Sequence, residues 1–153
     1  MNGFDGQQSG RSALVCRAAI LSIAASMIHG LNVQEHLVEW WGYGFFFLFA
    51  AAAQFVYGLI LIVQPWNYDQ TGGKRDGGRY ARHFYRAGIA VNSLLIVLYL
   101  ITRTVGIPFL GPSAGQTEPF TPVGVATKVI EAGLVVALAA LVRREQVFSA
   151  AGG

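Results

Sequence analysis

Four stretches of this chain are apolar over the length that a helix needs to cross a bilayer: residues 12–29, 41–63, 87–107 and 121–142. Hydrocarbon about 30 Å thick takes roughly 20 residues at about 1.5 Å rise each. A backbone in lipid must satisfy its own N–H and C=O groups, and in segments of this length only a helix does so. The expected fold is therefore all-α, a four-transmembrane-helix bundle forming a single integral membrane domain over residues 1–153. The first stretch carries Arg17 and the third Arg103, each near an end where the long side chain snorkels to the headgroups. After the first stretch come Met27, Ile28, His29 and Gly30, not a small-residue cleavage pattern, so it reads as a retained span.

Charge agrees with this class. Only 12% of the residues are charged, against about 25% in a soluble domain. The lone Cys16 excludes an intramolecular disulfide framework and any Cys-rich metal site. Nine of the eleven basic residues fall on one side of the proposed spans: Arg11 and Arg17, then the run from Lys74 to Arg86, then Arg143 and Arg144. The positive-inside rule places that side, with both termini, in the cytoplasm. The connections 30–40 and 108–120 then face outward and carry Glu35, Glu39 and Glu118. The basic loop between spans two and three reads as a solvated, lipid-touching segment and not as a nucleic-acid footprint.

The segment 27–44, MIHGLNVQEHLVEWWGYG, holds two of the three histidines and two adjacent tryptophans. Gly30 fits a helix C-cap, and Asn32 with Glu35 fits a capping box. A short amphipathic helix from Val33 to Trp41 is expected along the membrane surface, with Trp40 and Trp41 in the aromatic belt. His29, His36 and Glu39 are left over. His36 and Glu39 are three apart, a spacing at which both reach one ion, and imidazole with carboxylate suits Zn, Cu or Fe. The bland alternative is a pair of interfacial hydrogen-bonding histidines. Haem would need two histidines from opposing helices.

Polar groups inside the spans each call for a partner. Gln54 and Asn92 are expected to hydrogen-bond between helices. Lys128 and Glu131, three apart in the fourth span, are spaced to pair on one face, with Glu131 near mid-membrane. A proton relay or buried ligand site is the sharper reading of that pair. Small residues at Ala50–Ala53, Gly88 and Gly124 suggest close helix approach. The loop TRTVGIPFLGPSAGQTEPF is rich in Pro and Gly, and Arg103 at its base is placed to pair with Glu35, Glu39 or Glu118.

The pattern of His29, Glu35-His36, Glu39-Trp40, Phe45 to Gln54 and TRTVGIPFLGP, with a later acidic residue in the last span, resembles a group of small bacterial four-helix membrane proteins. In size and helix count the chain also looks like the DoxX-like membrane proteins. The resemblance implies the fold and a bacterial inner membrane, and assigns no activity.

Three functions compete. An accessory or structural subunit of a larger membrane complex, or a homo-oligomer, is favoured by the absence of nucleotide motifs and of a complete catalytic constellation. A metal- or haem-binding protein would use His29 and His36 with Glu39 or Glu131. A small proton-coupled transporter would be built around Glu131, Gln54 and Asn92, although no inverted repeat is visible.

Overall fold

The structure, a computed structural model, describes residues 3–67, 74–109 and 111–151. It comprises four long helices: α1 (Gly3–Glu39), α2 (Trp41–Val63), α3 (Lys74–Thr104) and α4 (Pro122–Ala151), with no strand among the described residues. All four are long and apolar enough to cross a membrane, over Ser9–Glu39, Trp41–Asn67 (α2 with the short turn after it), Gly78–Thr104 and Pro122–Gln146. Residues 68–73 of the expected basic loop lie outside the described residues, and its basic run from Lys74 to Arg86 is not a loop but the first part of α3, which starts before the apolar stretch.

α2 begins and ends where the hydropathy pattern put it, at Trp41 and Val63. α1 differs. The expected C-cap at Gly30 does not end a helix, and residues 33–39 of the expected surface helix are the C-terminal end of α1 itself. Asn32 does not cap; its side-chain amide donates back to the Ile28 carbonyl at 2.6 Å. The physical reason is the hairpin with α2. That helix runs antiparallel to α1 along its whole length, so residues beyond Gly30 still have a wall to pack on. Leu37 sits so close to Gly44 that a Cβ on the glycine would collide with it. The chain reverses at Trp40 alone, whose extended backbone (φ −165°, ψ 134°) ends one helix while its carbonyl accepts from Tyr43 and Gly44.

α1 packs against α2 and α4, and α4 packs against α3. Three levels follow along the bundle. At the end holding the termini, Val15, Ala18, Leu61, Tyr85, Leu138 and Leu141 form a closed apolar core. Gly88 lets α3 approach there, because a Cβ would collide with the Tyr57 hydroxyl and with Leu138. The middle level is polar: Ser22, Ser26, His29, Gln54, Asn92 and Glu131 are all buried. The level nearest the Trp40 turn and the α3–α4 connection is a cavity. Outside all three, residues such as Met27, Phe49, Val56, Leu94 and Val136 are more than half exposed, an apolar girdle of the kind that lipid covers.

The connection from α3 to α4 folds back on itself. Gly115 N–H donates to Ile107 O, and Glu118 N–H to Thr102 O. Gly106 has φ +77°, and a Cβ there would lie 2.6 Å from the Gln116 carbonyl, so the turn excludes any larger residue. Ser113 donates to Glu39 at 3.2 Å, tying this loop to the end of α1.

Candidate functional site

Glu131 organises the polar level. It lies on α4, ten residues from Thr121, and its side chain is fully buried. One carboxylate oxygen, Oε1, accepts from His29 Nε2 at 2.8 Å and from Gln54 Nε2 at 3.2 Å. The other, Oε2, accepts from Lys128 Nζ at 2.6 Å. Three donors on α1, α2 and α4 thus converge on one acid, the pairing that a buried carboxylate requires. In this contact His29 Nε2 carries the hydrogen and the carboxylate accepts.

The fourth helix joins through Asn92. Gln54 Nε2 also donates to Asn92 Oδ1 at 3.1 Å, and Asn92 Nδ2 donates to Gly88 O at 2.8 Å. The two acceptors facing Gln54 Nε2 fix the orientation of that amide, since a flipped carbonyl would face both. Small residues make the convergence possible. Ser22 and Ser26 on α1 donate to the α2 carbonyls of Gln54 and Ala51 at 2.6 and 2.8 Å, drawing the two backbones together. Buried Ala50 and Ala51 leave room for that approach, as the alanine run suggested.

Above this cluster lies a partly open cavity of ≈ 570 Å³. Its polar floor includes His29 and Lys128; Tyr43, Phe46, Phe47, Leu95 and Leu98 line its walls, and the α3–α4 connection roofs it. Two cations lie close to the Tyr99 ring, with Arg103 Cζ 5.0 Å and Lys128 Nζ 5.5 Å from its centroid. Gly124 faces the Tyr99 hydroxyl, and a Cβ there would lie 2.7 Å from it. Arg103 pairs with Glu118, one of the three partners foreseen for it, while Glu35 is exposed.

The expected metal trio is not assembled. His29 spends Nε2 on Glu131, seven residues from His36 on the same helix. His36 stacks on Phe47 (centroids 4.1 Å, 17°) and reaches Glu39 at 3.3 Å. No group of three or more His, Cys, Asp or Glu side chains among the described residues is placed to hold a metal ion. Both histidines belong to α1, so they do not face each other across a haem either.

Pairing of Lys128 with Glu131 was legible from spacing, and polarity showed that Gln54 and Asn92 each bond between helices; that they bond to each other comes from the structure. The decisive contact, His29 to Glu131, was not legible: 102 residues separate them, and no local pattern signals it. Depth gave no hint either, since His29 closes the first apolar stretch whereas Glu131 lies midway along the fourth.

No protein-family model, curated protein or solved structure matches the chain.

Proposed function

We propose that this multi-pass membrane protein binds a small molecule in the cavity above the Glu131 cluster. The observation that carries the reading is that His29 and Lys128 both line the cavity and both hold Glu131. A fully buried carboxylate in a membrane span is costly, and such groups mark ligand and ion sites. The cavity volume lies within the roughly 300–1,000 Å³ typical of small-molecule sites, and a few convergent polar groups on an apolar wall are the usual composition.

The closed apolar core below the cluster favours a one-sided binding site over a transmembrane route. Leu61, Tyr85, Leu134, Leu138 and Leu141 are each 0% exposed there. An accessory role in a larger complex is compatible with such a site and is supported by the chain's small size; a partner subunit or a second copy would then sit on the apolar girdle. The distribution of basic residues supports cytoplasmic termini and a cavity opening outward. The resemblance to small bacterial four-helix proteins supports a bacterial inner membrane.

The test is equilibrium uptake of 2-ethylnaphthalene and 2-acetylnaphthalene into phosphatidylcholine nanodiscs, with and without protein. Wild type is expected to add a saturable component that the cavity-filling Leu98→Trp removes. Equal uptake by wild type and Leu98→Trp contradicts the reading.

A further inference from the structure

Charge in the cavity comes in balanced pairs. Lys128 Nζ faces Glu131 Oε2, and Arg103 Nη1 faces Glu118 Oε2. The members of the first pair differ in access. Glu131 is fully buried and does not line the cavity, whereas Lys128 does. An occupant therefore meets an ammonium with its counter-ion hidden behind it.

Three properties of that surface restrict the occupant. First, an ammonium has three N–H donors, and Glu131 accepts only one hydrogen bond from Lys128. The floor thus offers donors and asks for an acceptor. Second, the two cations are already matched by two carboxylates. A ligand bearing a net charge would bring an uncompensated charge into a low-dielectric site. Third, the walls are apolar and aromatic, with Phe46, Phe47, Leu95 and Leu98 supplying surface for a hydrophobic body. A pure hydrocarbon satisfies the walls but leaves the ammonium's remaining donors without an acceptor, facing only the Tyr99 ring. A carboxylate satisfies the donors but breaks the charge balance. A carbonyl oxygen on an apolar body satisfies all three.

We propose that the cavity takes a neutral, apolar molecule bearing a carbonyl oxygen, which accepts a hydrogen bond from Lys128 Nζ while its body lies among Phe47, Leu95 and Leu98. Lys128 is then the specificity-determining residue, and Glu131 holds it in place and balances its charge. The inference rests on the cavity being a ligand site, and the experiment separates the two.

Three probes share one ring system: 2-acetylnaphthalene (neutral ketone), 2-naphthoate (anion) and 2-ethylnaphthalene (no acceptor). Binding is measured in phosphatidylcholine nanodiscs for wild type, Leu98→Trp and the double variant K128M/E131Q. The double variant removes both charges at once, because Lys128→Met alone strands a buried carboxylate and risks unfolding the bundle. Wild type is expected to bind the ketone at least tenfold tighter than the other two. In K128M/E131Q the ketone should fall to the level of the hydrocarbon, with hydrocarbon binding retained as evidence that the cavity is intact. Tightest binding of 2-naphthoate, or a ketone preference that survives in K128M/E131Q, overturns the carbonyl assignment and leaves the cavity reading standing. Loss of every probe from the double variant also counts against it, since the floor would then shape the cavity and not read the carbonyl. No saturable binding of any probe to wild type, or identical binding to Leu98→Trp, overturns both.

Discussion

The Nζ of Lys128 lies 2.6 Å from Oε2 of Glu131, one turn further along α4, and the carboxylate behind it is fully buried. The pair is asymmetric. Glu131 has no exposure with which to recover hydration, while the lysine side chain keeps 15% of its surface. Removing the cation should therefore hurt more than removing the anion. Lys128→Met is expected to destabilise the bundle by about 3 kcal/mol or more, the usual cost of an uncompensated buried charge. Glu131→Gln, which keeps an acceptor for His29 and Gln54, should cost less, and K128M/E131Q should recover much of the loss. Thermal unfolding in one detergent at fixed protein concentration checks the order; a Lys128→Met protein as stable as wild type would show that the pair is not what holds Glu131.

Gly88 and Tyr57 make a second asymmetric pair. The Tyr57 ring stacks on Phe84 (centroids 4.4 Å, 12°) and its hydroxyl donates to the Phe84 carbonyl at 3.2 Å, so the ring has little freedom to retreat from a new methyl. Gly88→Ala is expected to cost about 1–3 kcal/mol by overpacking, despite alanine's better helix propensity. The cost should shrink in a Tyr57→Leu background, where the obstruction is shorter. Equal costs in the two backgrounds, read from thermal unfolding, would mean that the close approach at Gly88 is not the constraint.

The legible parts of the fold were those with local causes. Apolar length and period marked α2 to the residue, and a three-residue offset on one helix was enough to pair Lys128 with Glu131. Gln54 and Asn92 were legible because a buried amide in a membrane must find a partner. Gly30 misled because its cap signal is local while the force that overrides it is not. α2 supplies a packing wall beyond that glycine, and an apolar setting favours keeping the backbone hydrogen-bonded in a helix. His29 was harder to read for a related reason: it was grouped with its sequence neighbours His36 and Glu39, with Glu131 only as an alternative acid, and the contact it makes is to Glu131, 102 residues away.

Orientation is open to direct chemistry. In a Cys16→Ser background, a cysteine at Ser113 in the α3–α4 connection should react with a membrane-impermeant maleimide added to intact cells. One at Gln146, near the end of α4, should react only after the membrane is permeabilised. The reverse pattern would invert the topology and place the cavity mouth on the cytoplasmic side.

Protection of a cysteine inside the cavity tests the central claim most directly. Leu98→Cys in the Cys16→Ser background lines the cavity wall, while Leu94→Cys, one turn away, replaces a residue 65% exposed on the girdle. Modification of each by N-ethylmaleimide in detergent is followed by stopped-time mass spectrometry. Saturating 2-acetylnaphthalene is expected to slow modification of Leu98→Cys at least tenfold and to leave Leu94→Cys unchanged. Equal slowing at both positions, or none at Leu98→Cys, would contradict a ligand site above the His29–Glu131–Lys128 cluster.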